Sequence, residues 1–110
     1  MTVKKKKAQE RIKDIFNKIS EKLDISEKNR NVAVMRYFAI DRKEKIEKDS
    51  YKLLAFCVLY AGRIINLDTA PKIDDITRAF QILDNSIKCT SILITGMKYL
   101  KYFPPNKLTN

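Results

Sequence analysis

The chain contains no histidine and no tryptophan, and only two glycines, three prolines and two cysteines among its 110 residues. The lack of histidine removes the commonest general acid–base group and the commonest neutral metal ligand. Cys57 and Cys89 stand far apart with no Cys-x-x-Cys pair, so a zinc site has too few ligands. Each is expected to be a structural thiol, with a disulfide between them left open. Two isolated glycines exclude a glycine-rich phosphate loop, and so few turn formers leave little material for an all-β chain. The longest unbroken apolar run, Leu53 to Ala61, falls well short of the roughly 20 residues that cross a bilayer. Gln9, Glu10 and Arg11 follow the N-terminal lysines where a secretory signal would be apolar, so an intracellular protein is expected.

What is present is apolar content and positive charge. A hydrophobic fraction of 45% supports a folded chain, and 110 residues suffice for one domain with one core. The expected fold class is all-α. Against 13 acidic residues stand 23 lysines and arginines, a net charge of +10. Such an excess attracts polyanions: nucleic acid, an acidic protein face or an anionic membrane surface.

The spacing of apolar residues divides the chain. Residues 1–7, with Lys4, Lys5, Lys6 and Lys7 adjacent, have no periodicity and read as a flexible basic arm, either a phosphate contact or a solubilising tail. Ile12, Ile15, Phe16, Ile19 and Leu23 then mark one face of an amphipathic helix. Ser26 is a natural N-cap for a second helix to about Lys43, with Val32, Met35, Phe38 and Ala39 as its expected buried stripe and Val34 and Tyr37 at the margins. After a polar loop, Ser50 is the next N-cap candidate. "YKLLAFCVLYAGR" behind it is apolar almost all round and belongs at the centre of a bundle. Pro71 separates this helix from a fourth that starts near Lys72, and a fifth is expected from about Ile87 to Lys101, where Pro104 and Pro105 stop it. Gly96 within it either permits a close contact or marks a weak point. The domain is thus 8–103, with 104–110 as a frayed tail.

Nothing in this layout favours catalysis. Asp74 and Asp75 occupy a first helical turn, where carboxylates suit the helix dipole, and no serine or cysteine has a base at a recognisable spacing. The protein is read as a non-enzyme that needs no cofactor and no metal.

The stretch "IDDITRAFQILDNSIK", residues 73–88, carries more information. Ile76, Phe80 and Ile82 with Ile87 can lock two helices at a fixed angle, as in a helix-turn-helix, and leave the second helix's first turn free to enter a groove. Asn85, Ser86, Lys88 and Cys89 would then lie nearest a base edge or phosphate, with Lys88 one residue inside the helix. Gln81 stands where such turns commonly have glycine. An ordinary bundle corner would show the same pattern.

The order of elements, with Leu54-Ala55-Phe56-Cys57-Val58-Leu59-Tyr60-Ala61-Gly62-Arg63 in the third helix, Pro71 and Ile76 leading into the fourth and Ile87 opening the fifth, resembles the cyclin box. The likeness is to the cyclin-like repeat of archaeal transcription factor B and eukaryotic transcription factor IIB, and covers residues 8–102. It implies a compact five-helix bundle with a buried central third helix and a helix-turn-helix-like last pair, used for binding DNA and protein. The family's basal factors carry two repeats and a zinc ribbon; this chain has one repeat and no ribbon ligands.

Two readings of function follow. A DNA-binding regulator would gather its charge on the face of the last two helices and the arm: Lys4 to Lys7, Arg78, Lys88, Lys98 and Lys101, with Lys18 and Lys22 of the first helix away from it. Duplex DNA is then the main partner, with a basal transcription protein as a second. A protein-binding adaptor would instead expose an apolar groove, for which Tyr37, Phe38, Tyr99, Tyr102 and Phe103 are candidates, or these aromatics form the core. A membrane-surface role through the arm is the remaining reading.

Overall fold

The apolar series that begins at Ile12 becomes the inward face of α1 (Val3–Leu23), where Ile15, Phe16 and Ile19 are buried and Ile12 and Leu23 pack at the margin. A computed structural model of the chain describes residues 3–46 and 50–104, and the backbone alone of residues 3–8. Helix α1 begins at Val3, so Lys4 to Lys7 lie on helical backbone where the sequence suggested an arm outside any helix. Lysine is a good helix former, and a helix nucleated by a packed face extends backwards at one hydrogen bond per residue. Residues 105–110, most of the expected tail, lie outside the described residues.

Helix α2 (Glu27–Glu44) opens at Ser26, whose Oγ accepts the Asn29 N–H at 3.1 Å. It closes at Lys45 in the left-handed conformation, with the Lys45 N–H donating to the Asp41 carbonyl. Its fully buried residues are Asn29, Ala33, Tyr37 and Ile40; of the expected stripe, Val32 and Phe38 pack at the margin of the core, Ala39 is half-buried and Met35 is 71% exposed. Apolar residues surround this helix almost evenly, so periodicity selects no face and the neighbouring helices decide.

Helix α3 (Ser50–Ile65) includes Ser50 as its first residue where a preceding cap was expected, and buries Leu53, Leu54, Ala55, Cys57, Val58, Leu59, Ala61 and Gly62. A helix without a polar face must be enclosed. Accordingly α3 packs against α2 most extensively, then against α5 (Cys89–Lys98) and α4 (Ile73–Gln81), while α1 covers α4 and α2. Near its C-terminus Gly62 lets Asn29, Ala70 and Pro71 approach closely; a Cβ there would lie 2.9 Å from that of Ala70.

Helix α4 starts directly after Lys72, as the proline placed it. Helix α5 is shorter than its apolar pattern. Ile87 is fully buried yet precedes the helix, and the chain leaves α5 through a short 3-10 turn, Leu100–Tyr102. The result is an all-α domain of five helices with no strand among the described residues. Its radius of gyration is 13.3 Å, near the roughly 13 Å typical of a compact chain of this length. No helix among the described residues is long and apolar enough to cross a membrane.

Candidate functional site

The corner between α4 and α5 is firmly tied. Ile76, Phe80 and Ile87 are fully buried and form its apolar lock, whereas Ile82, expected to share it, is 65% exposed. Residue 82 follows the last turn of α4, where the chain curls outward as the Leu83 and Asp84 N–H groups both donate to the Phe80 carbonyl. The Asp84 carboxylate accepts the Ser86 hydroxyl at 2.6 Å and the Ser86 N–H at 3.0 Å. These bonds, the hydroxyl's first, hold its carboxyl below the usual aspartate range. Gln81 donates its side-chain amide to the Ile87 carbonyl at 2.8 Å, which gives a polar residue a structural task where a turn glycine was looked for. The connection occupies residues 82–88, longer than the 3–4-residue turn of a helix-turn-helix.

Lys88 is the N-cap of α5, not a residue inside it. Its N–H donates to Ser91 Oγ and its carbonyl accepts the Ile92 N–H, which satisfies the first turn through the backbone. The lysine side chain has no acceptor to offer a helix start, and it is exposed beside Asn85 and Ser86. Cys89 is less available than the sequence suggested. It is half-buried, its Sγ donates to Asp74 Oδ1 at 3.2 Å, and it touches Thr77 Oγ1 at the same distance.

Arg78 is exposed but engaged: its Nη2 lies 2.5 Å from Asp75 Oδ1. Both line a groove of about 410 Å³ between the end of α1 and α4, together with Lys22, Leu23, Pro71 and Ile82. Lys22 therefore stands beside Arg78 and is not distant from this face. Sequence reasoning missed it because α1's spacing shows that Leu23 points inward, not which element receives it. The backbone of Lys4 to Lys7, in contrast, lies about 22–27 Å from that of Lys22 along the axis of α1 at the usual helical rise. A second cleft, lined by Asp24, Asn29 and Thr69 among others, has no lysine or arginine in its lining.

The aromatics named for an apolar groove are mostly core. Tyr37, Tyr99 and Phe103 are buried, and Phe38 and Tyr102 are partly buried against them. Burial first, and then the Asp41 charge, pushes the Tyr37 phenol above its usual range. Tyr102 donates its hydroxyl to Glu44 Oε2 at 2.6 Å, which lowers the glutamate's pKa and raises the phenol's. Lys101 Nζ lies 3.5 Å from the same carboxylate. Lys98 is exposed on α5 with its Nζ 5.4 Å from the Tyr99 ring centre.

The middle of α5 is largely apolar on its outward side. It carries Leu93, Ile94 and Met97, with Lys98 at its end, and no arginine, asparagine or glutamine. The corner and the groove offer cations, whereas the outward side of α5 offers mainly apolar side chains. Both cysteines are free, and no cluster of three or more potential metal ligands occurs among the described residues.

Compared with known proteins, the chain matches no family model, no curated protein and no solved structure.

Proposed function

We propose that this chain is a non-enzymatic nucleic-acid-binding module of a transcription regulator, holding duplex DNA by phosphate contacts and not by base readout. The observation that carries the reading is the placement of Lys22 beside Arg78 in one groove, on a chain with a net charge of +10. Helix α1 extends this positive region: Arg11, Lys13, Lys18 and Lys22 are all exposed, interspersed with Glu10, Asp14 and Glu21. Lys4 to Lys7 continue along the same helix. A duplex lying along α1 from Arg11 to Lys22 would meet cations over about 17 Å, roughly five base pairs. Lys88, Asn85 and Ser86 add a further phosphate-facing edge at the corner, and Lys98 and Lys101 lie beyond it on the α5 side. The resemblance of the third helix and its flanks to a single cyclin-like repeat supports the same class of function, since that fold binds DNA and proteins.

The test is fluorescence anisotropy with a labelled duplex over a range of salt. Affinity should fall steeply between about 50 and 200 mM salt. Lys22→Ala with Arg78→Ala should weaken binding and reduce the salt slope by about 2. Arg42→Ala with Lys43→Ala, in the last turn of α2, removes the same charge away from the groove and should cost less. Asp75→Asn frees Arg78 and should strengthen binding. Equal losses from both double variants would mean that only total charge counts, and no low-salt binding would overturn the reading.

A further inference from the structure

The first turn of α2 holds a buried amide whose oxygen has no donor. Asn29 is 5% exposed; its backbone N–H donates to Ser26 Oγ, but its side-chain Oδ1 is buried and accepts no hydrogen bond. Its Nδ2 lies 3.3 Å from where a Cβ on Gly62 would sit, so the side chain is wedged against α3. Buried polar groups are nearly always paired with protein, water or a ligand, and an unpaired one points to an occupant that the chain itself does not supply.

Asn29 lines the cleft of about 370 Å³ between the α1–α2 turn, with Asp24 and Ile25, and the end of α3, with Ile65, Asn66 and Thr69. Its walls are held by their own hydrogen bonds: the Ile25 N–H donates to the Ser20 carbonyl, and Asn66 Oδ1 accepts the Asp68 N–H, both at 3.1 Å. The volume suits a small molecule. No lysine or arginine lines the cleft, and Asp24 is its one ionisable group. It also lies at the C-terminal end of α3, where helix carbonyls carry partial negative charge, whereas the Asn29 N–H at the start of α2 is taken by Ser26. The cleft therefore offers acceptors and negative charge on a chain whose net charge is +10, an excess that is screened beyond about 8 Å at physiological salt. Phosphate is the wrong occupant. A divalent ion is too, because one carboxylate is too few and no cluster of three or more potential metal ligands occurs among the described residues.

Ile25 and Ile65, both half-buried, give the cleft two apolar flanks. We infer that it binds a small organic cation with a primary ammonium group, whose N–H groups donate to Asn29 Oδ1 and the Asp24 carboxylate while its carbon chain lies against Ile25 and Ile65. The terminal torsion of asparagine is soft, so the amide can turn to meet a donor in the cleft. An ammonium has three donors and no acceptor and can serve both oxygens at once, the bond to the carboxylate being of the stronger, charge-assisted kind. The cleft shares no residue with the groove of Lys22 and Arg78, so its test is separate from that of duplex binding.

The probe is butylammonium chloride, titrated into the full chain and followed by NMR at the amides of Asn29 and Asn66. It should shift them saturably, with a dissociation constant of about 1 mM or tighter. Butanol, with the same carbon chain and no charge, and acetate should not. Asp24→Asn should weaken binding by about tenfold or more at an unchanged melting temperature, because Asp24 is exposed and its left-handed backbone, φ 52°, suits asparagine. Asp14→Asn, the same charge change about three turns earlier on α1, should leave binding as it is. Asn29→Leu, close in shape and apolar, should also weaken binding by about tenfold or more without lowering the melting temperature, since the oxygen it removes has no partner. If it does lower the melting temperature, Asp24→Asn is the readout. Shifts that never saturate, that respond equally to the Asp24 and Asp14 substitutions, or that survive in a folded Asn29→Leu overturn the proposal. So does a saturable response to calcium chloride, butanol or acetate in place of the ammonium.

Discussion

Gly96 of α5 lies so close to the ring of Phe56 in α3 that a methyl group on Gly96 would fall within the ring's van der Waals surface. Phe56 has little freedom to yield. Its ring meets Phe103 edge-on with centroids 4.7 Å apart, Phe103 meets Tyr60 in the same way at 5.0 Å, and the Tyr60 hydroxyl donates to the Pro104 carbonyl at 2.8 Å. The glycine is the condition for α5 to pack on the central helix.

Gly96→Ala should therefore destabilise the domain, although alanine is the better helix former by about 1 kcal/mol. Overpacking costs about 1–3 kcal/mol, so a net loss is expected in urea unfolding. Combining it with Phe56→Leu should recover part of that loss. A stabilised Gly96→Ala would show that the two helices are not in this contact.

Leu54 and Met97 are both apolar and both helical, and their substitutions should behave oppositely. Leu54→Asp places an unpaired charge at a fully buried position, a cost of several kcal/mol that a domain of ordinary stability cannot absorb. Met97→Asp, at an exposed position, should change stability by about 0.5 kcal/mol or less. Circular dichroism melts separate the two, and a folded Leu54→Asp would contradict α3 as the centre of the core.

The two thiols should react at very different rates. Burial pushes the Cys57 thiol well above its usual range and keeps it protonated, while Cys89 is half-buried at the start of α5. A water-soluble alkylating reagent should modify Cys89 first, with Cys57 slower by on the order of a thousandfold because it waits for the domain to open. Peptide mapping by mass spectrometry reads both sites. Equal rates in the folded protein would contradict the burial of Cys57.

The Asp84 carboxyl should titrate below an ordinary aspartate because of Ser86. A depressed folded-state pKa contributes stability that is fully present above the unfolded value and is lost as pH falls through the folded one. The corner is thus expected to loosen only in the acid range below ordinary aspartate titration. In Ser86→Ala the Asp84 carboxyl, followed by NMR, should titrate closer to the ordinary value. An unchanged titration would mean that the hydroxyl does not hold it.

The sequence by itself determined the helical class, the number of helices, the buried character of "LLAFCVLYA" and the breaks at Ser26 and Pro71, because these depend on local spacing and backbone chemistry. It also contained the whole excess of charge. Tertiary packing decided everything that requires knowing which face meets which neighbour. The evenly apolar α2 turned Tyr37 inward and Met35 outward, and α5, apolar on two sides, turned Gly96 to Phe56 and left Ile94 and Met97 to solvent. The same packing brought Lys22 to Arg78 from a helix whose own pattern gave no sign of it. A local period says that a residue shares a face with residues three and four away; only the closing of helices around α3 decides whether that face is core or surface.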